Sequence, residues 1–268
     1  MPALNVDGLT LHYDVRGSGA PVVLLHGFTS SLAGNWGRRG WIDFLADGGY
    51  RVVGLDFPSH GESERVYDAS RVTTENLAAD VVALLDHLDI DRADLFGFSM
   101  GGGVALKLAS DYPGRVGRII VSGVGDAALN RLHDPWQIAD IRAAFEAEST
   151  DAIASPTAQA IRRSAETGGN TLKGGNDLKA LAPFLRNGGW PGGLDAERPV
   201  AAPVLLILAE NDQFMGASDE LERWLSHARV ERVPRCDHYT VLNDDRVRAA
   251  VLDFLGAAAK DGARTQSG

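Results

Sequence analysis

The residues with the most chemical content are Gly97-Phe98-Ser99-Met100-Gly101, which run directly into Gly102-Gly103-Val104-Ala105-Leu106. A G-x-S-x-G string by itself is a weak signal, so its surroundings decide. An apolar run at 93–96 ends just before it and helix-like sequence begins at Met100. A strand that turns sharply into a helix with serine at the apex needs glycine on both sides, because no other side chain fits so tight a crossing. The hydroxyl then stands at the carboxyl end of the strand, beside a helix N-terminus that favours developing negative charge. Such a serine suits nucleophilic attack, but only if a base takes its proton and a third group holds the base. Seven histidines compete for that role: His12, His26, His60, His87, His133, His227 and His238. His12 falls in a hairpin pattern, His26 at a strand end, and His87 and His227 within or at the end of helical patterns. His238 lies in Cys236-Asp237-His238-Tyr239-Thr240, after the last strand-like run.

These residues need a frame. Residues 4–17 alternate in the manner of strands around a D-G turn signal and read as an antiparallel hairpin. Short runs apolar on both faces recur at 21–25, 50–55, 93–96, 118–121 and 203–208, the form expected of central parallel strands, and 229–234 is a final candidate. Helical patterns lie between them at 74–88, 100–110, 219–225 and 246–255. Strand–helix alternation predicts an α/β fold with a mostly parallel, doubly wound sheet. From Asp126 to Pro199 the rhythm breaks. Helical patches at 135–147, 157–166 and 177–185 are separated by Gly-rich turns, a stretch too long for an ordinary connection. The expected organisation is therefore a core of residues 1–125 and 200–260, a helical insertion over 126–199, and a frayed tail over 261–268.

Composition narrows the function classes. With 26 Lys+Arg against 36 Asp+Glu the formal charge is −10, the wrong sign for displacing counterions from nucleic acid. One cysteine excludes an intramolecular disulfide framework and any CxxC site. No HExxH, EF-hand or phosphate-loop pattern appears, so no metal or cofactor is expected. The pair Arg162-Arg163 reads as a solvated helix face. No apolar run approaches the ~20 residues that span a bilayer, and the opening residues MPALNVDGLTLHYD show no basic-then-apolar leader. A cytoplasmic protein with no membrane partner is expected, and a homodimer is compatible with this reading.

The chain resembles the α/β-hydrolase fold family over nearly its whole length. The resemblance rests on the serine turn, on His26-Gly27-Phe28 after a buried strand, and on Asp56-Phe57-Pro58-Ser59-His60-Gly61-Glu62-Ser63 after the next. The family usually shows D-x-x-G-x-G-x-S at that last stretch, so Ser59 stands in a glycine place. The resemblance implies an eight-stranded sheet with a cap inserted after the sixth strand. It also implies the order nucleophile, acid, base: Ser99, then Asp212 just past the 203–208 run, then His238. Asp126 and Glu210 are competing acids. By the same pattern His26 shapes its loop, and the backbone N–H groups of Phe28 and Met100 form an oxyanion hole. The cap would set substrate choice, with Trp136, Phe184 and Trp190, and Trp36 beyond Phe28, as pocket candidates.

These implications point to a serine esterase acting on a small-molecule ester through an acyl-enzyme. Lactonases, amidases, thioesterases and carbon–carbon bond hydrolases are rivals on the same machinery. The serine turn is also similar to that of cofactor-free haloperoxidases. Epoxide hydrolases and haloalkane dehalogenases carry Asp at the nucleophile position and are disfavoured. A rival of another class is a slow-turnover ligand sensor using the same pocket.

Overall fold

The computed structural model describes residues 2–129, 135–166, 176–185, 194–195, 197–198 and 200–264. The D-G signal closes a hairpin between β1 (Ala3–Val6) and β2 (Leu9–Arg16). Asp7 and Gly8 both take positive φ, 51° and 86°, as a two-residue hairpin turn that follows strand twist requires. The apolar runs become β3 (Ala20–Leu25), β4 (Tyr50–Leu55), β5 (Ala93–Phe98), β6 (Val116–Ser122) and β7 (Val204–Ala209), with β8 (Arg229–Val233) at the far edge. The sheet has eight strands in the order β1-β2-β4-β3-β5-β6-β7-β8. The hairpin pairs antiparallel to β4 and every other neighbour pair is parallel.

Helices cover both faces, which explains the continuous apolar runs. Along β3, Val23 and Leu25 join a core with residues of α2 (Thr74–His87) and α3 (Met100–Asp111). Val22 and Leu24 point the other way, into a second core with Trp36, Trp41, Val247 and Val251. The last two belong to α8 (Asp245–Arg264), and Trp41 opens the short α1 (Trp41–Asp47). Periodicity did not predict α1. Seven residues between Gly40, at φ 70°, and Gly48 are too few to show a helical face. The helix α8 runs past residue 260 to Arg264, where a frayed tail was expected; Ala257, Ala258 and Ala259 are strong helix formers that carry it on. Residues 265–268 lie outside the described residues.

Between β6 and β7 lie α4 (Pro135–Glu146), α5 (Pro156–Glu166) and α6 (Leu178–Leu181), the last running into a 3₁₀ turn to Leu185. Here Arg162 corrects the sequence reading. Arg163 is exposed, but Arg162 is buried and donates from Nη1 to the carbonyls of Ala144, at 2.6 Å, and Ala147. Its Nε pairs with Glu166 at 2.7 Å. A guanidinium at the carboxyl end of α4 satisfies carbonyls that the helix itself leaves unpaired. The Gly-rich turns at 168–169, 174–175, 188–189 and 192–193 are outside the described residues apart from the helices they separate. After β7 comes α7 (Asp219–Trp224). Among the described residues, no helix is long and apolar enough to cross a membrane.

Candidate active site

The turn from β5 into α3 is set by steric exclusion. Ser99 sits at its apex with φ 52° and ψ −117°. Its N–H donates to the Ser122 carbonyl at 2.8 Å, and its own carbonyl accepts from Gly102 and Gly103. A methyl on Gly97 would overlap the Gly101 backbone, and one on Gly101 would run into the Leu25 carbonyl. The start of α3 therefore passes so close to β3 that only hydrogen fits. Met100 is the first residue of α3, so its N–H is one of those an α-helix leaves without an internal acceptor.

The loop after β3 lies alongside. A methyl on Gly27 would come within 3.3 Å of Ser99 Cβ, so Phe28 enters directly beside the serine. Hydrogen bonds fix this loop from behind. Asn35 Oδ1 accepts from Gly27 N at 2.8 Å. Asp56 accepts from Leu32 N at 2.7 Å and Glu62 N at 3.0 Å. Ser63 Oγ donates to the Asp56 carbonyl at 2.6 Å. His26 accepts at Nε2 from Phe57 N at 3.0 Å and donates from Nδ1 to the Gly27 carbonyl at 2.8 Å. His60 accepts at Nε2 from Thr29 N at 3.2 Å and donates from Nδ1 to the Pro58 carbonyl at 2.9 Å. Both rings are thus neutral and committed on both nitrogens. Burial pulls the His26 pKa below its ordinary value, with Asp56 opposing. Burial, reinforced by His26, holds His60 well below. Neither ring has a nitrogen left to serve as a base.

His238 differs. Its Nδ1 lies 2.7 Å from Asp212 Oδ2, and the Asp212 side chain is fully buried. A carboxylate only accepts, so Nδ1 carries the hydrogen and Nε2 keeps a lone pair. Asp212 is held by Phe214 N and Met215 N, both 2.9 Å from Oδ1. Gly123, at φ 69°, seats the imidazole: a methyl there would come within 2.9 Å of His238 Cε1 and 3.1 Å of Phe98 Cε2. The competing acids have other places. Asp126 Oδ1 accepts from Leu221 N in the first turn of α7 at 2.8 Å, and Glu210 is exposed. Of the other histidines, His87 Nε2 meets Tyr13 OH at 3.1 Å and His227 Nε2 meets the Ala202 carbonyl at 3.0 Å. His133 lies outside the described residues.

Ser99, Phe28 and His238 line one cavity of about 400 Å³, within the range of small-molecule sites. The aromatic pocket candidates fare differently. Trp36 is fully buried in the second core, edge-on to Trp41 and 4.7 Å from the Phe96 ring, and is no pocket wall. It lies in the Leu32–Gly37 turn that Ser31 caps, with Leu32 and Asn35 buried beside it. Phe184 is also buried, packed behind Phe28 and His60 at ring separations of 5.7 and 5.1 Å, so it supports the loop rather than lining the cavity. Trp190 and the side chain of Trp136 lie outside the described residues. The walls that sequence reasoning missed are Phe98, Phe214, Tyr239, Ile161, Arg38 and Arg39. No spacing marks them, since they come from five separate segments. Asn176, from the inserted segment, donates to the Thr29 carbonyl at 2.8 Å and ties that segment to the same loop.

Residues 20–159 match the family model described as alpha/beta hydrolase fold. The 2-hydroxy-6-oxononadienedioate/2-hydroxy-6-oxononatrienedioate hydrolase of Paraburkholderia phymatum is 38% identical, over 92% of this chain and 91% of its own length. The 2-hydroxy-6-oxo-6-phenylhexa-2,4-dienoate hydrolase of Comamonas testosteroni is 36% identical but over only 45% of this chain and 42% of its own. A carboxylesterase structure from Nitrososphaera gargenis superposes with a TM-score of 0.78 at 20% identity, covering 97% of this chain and 100% of that one. With an eight-stranded sheet of this order and a family match over more than half its residues, the chain belongs to the α/β hydrolase fold family.

Proposed function

We propose that the protein is a serine hydrolase that cleaves a small carboxylic ester through an acyl-enzyme. The observation that carries this reading is the 2.7 Å contact of His238 Nδ1 with buried Asp212, on a ring that shares one cavity with Ser99. Ser99 Oγ attacks the acyl carbon and passes its proton to His238 Nε2. The oxyanion is met by the N–H groups of Phe28 and Met100. Collapse breaks the acyl–oxygen bond, and His238 returns the proton to the leaving alcohol. Water then attacks the acyl-enzyme with His238 again as base, releasing the acid and restoring Ser99. Asp212 stays ionised, fixes the imidazole tautomer and stabilises the imidazolium.

Replacing Ser99 with Ala tests this on p-nitrophenyl ester turnover. The expected result is a folded protein whose turnover falls by about 10⁴-fold or more and which no longer takes a fluorophosphonate label. Full turnover in the variant overturns the assignment. Similarity over nearly the whole chain to a hydrolase of 2-hydroxy-6-oxononadienedioate supports a second reading, carbon–carbon bond hydrolysis on the same residues. Comparing that substrate with a panel of short and long acyl esters decides between the two.

A further inference from the structure

The described lining of the cavity beside Ser99 is cationic. Among the described residues Arg38 and Arg39 both line it and no Asp or Glu side chain does, in a chain whose formal charge is −10. Arg39 is partly buried and held by neutral acceptors. Its Nη1 donates to the Tyr239 carbonyl at 2.9 Å and to Asn243 Oδ1 at 2.6 Å, while its Nε is buried without an acceptor among the described residues. The Arg39 backbone is fixed in turn. Its carbonyl accepts from Arg248, whose guanidinium lies 5.2 Å from the centre of the Trp41 ring and 5.0 Å from that of Phe44. Among the described residues, these contacts position the Arg39 cation on neutral acceptors alone. Burial and repulsion from Arg38 both push its pKa down, yet an arginine stays charged throughout the working pH range. Two adjacent cations facing a partly desolvated space repel one another, and an anion between them relieves that repulsion. Apolar Phe98, Phe214 and Ile161 share the cavity, so the anion would belong to a molecule with an apolar body.

We propose that Arg38 and Arg39 form an anion subsite of the Ser99 cavity, and that the preferred substrate is an ester bearing a free carboxylate rather than a neutral ester. The proposal rests on Ser99 being the nucleophile of this cavity. A guanidinium meets a carboxylate through parallel charge-assisted hydrogen bonds, which lysine cannot reproduce.

The test compares kcat/KM of the full-length protein for p-nitrophenyl butyrate and for the mono-p-nitrophenyl esters of succinic, glutaric and adipic acids. The expected result is a preference of at least about tenfold for one of the carboxylate esters, carried in KM and weakened by salt. Arg38 is exposed and its change does not threaten the fold, so Arg38→Gln is the decisive variant. It lowers the ratio of charged to neutral turnover several-fold, and Arg39→Lys lowers it despite keeping the charge. Equal or lower turnover of every carboxylate ester, or an unchanged ratio in Arg38→Gln, overturns the subsite. If instead turnover of both classes survives Ser99→Ala, it is the underlying assignment of the nucleophile that has failed.

Discussion

The two walls of the cavity are built on different principles. On the side of β3, β4 and β5, position is enforced by exclusion: Gly97, Gly101 and Gly61 each lie where a methyl would overlap a neighbouring backbone or the Asp56 carboxylate. On the side of β7 and β8, position is enforced by hydrogen bonds on open loops. Asp212 hangs from two backbone N–H groups, while Phe214 and Tyr239 remain 38% and 47% exposed. Gly216, in the same loop, has nothing within 4 Å of where a methyl would go. The first wall tolerates almost no change and fixes Ser99, the proposed nucleophile. The second leaves its side chains room to adjust.

The largest expected effect is on the second wall, because there the proposed chemistry depends on the single contact of His238 with Asp212. Asp212→Asn keeps the shape but takes the charge from behind the imidazole, and kcat should fall by about 10⁴-fold. Asp126→Asn removes only a charge at the start of α7, because the amide oxygen can still accept from Leu221 N. It should cost less than about 1 kcal/mol of stability and leave kcat within about threefold. Steady-state kinetics with urea melts separate the two, and similar losses of kcat in both variants would mean that the acid has been misassigned.

Exclusion on the first wall is tested by a pair of glycines. Gly101→Ala forces a methyl against the Leu25 carbonyl, which cannot yield without moving β3. A loss of more than ~3 kcal/mol, or no soluble protein, is expected. Gly216→Ala meets only the strain of φ 67° and should cost about 1 kcal/mol. Comparable losses in denaturant titrations would erase the distinction between the walls.

This difference also explains what could be read from the sequence. Steric exclusion writes glycine into the chain, so the serine turn and the loops after β3 and β4 stand out as local strings. The strands were visible because burial on both faces demands unbroken apolar runs. Asp212 and His238 carry no local signature. They were reached only through the order of elements that the family resemblance supplied. Arg38 and Arg39 were illegible, because an arginine beside a tryptophan-rich turn looks like any exposed cation until Tyr239 and Asn243 arrive from two hundred residues away. Trp36 misled for a related reason. Its position just after Phe28 is near the cavity along the chain but beneath the sheet in space.

The buried histidines of the first wall make its stability depend on pH. His26 and His60 titrate below their ordinary value of 6.5 when folded, whereas the unfolded chain takes up protons near it. As pH drops below about 6.5 the unfolded state binds more protons, so stability falls, by about 1.4 kcal/mol per pH unit for each ring until its folded pKa is reached. Above that value the contribution is complete. Urea melts at pH 7.5 and 5.5 should show a clear loss of stability on acidification. A flat profile would mean that the rings are protonated in place without cost.

The smallest effect expected is at Ser59, and it isolates strain from hydrogen bonding within the rigid wall. Ser59 stands where the family usually has glycine, and it keeps the positive φ, 65°, that makes glycine the usual choice. Its hydroxyl accepts from Val66 N at 2.9 Å and donates to the Val66 carbonyl at 3.2 Å. Ser59→Gly relieves roughly 1 kcal/mol of backbone strain and forfeits about as much in hydrogen bonding, so the net change should stay within ~1 kcal/mol. Ser59→Ala keeps the strain and loses the bonds, leaving Val66 N–H buried and unpaired, and should cost about 1–3 kcal/mol. If alanine proved as harmless as glycine, the hydroxyl would be doing nothing for this loop, and exclusion alone would account for its shape.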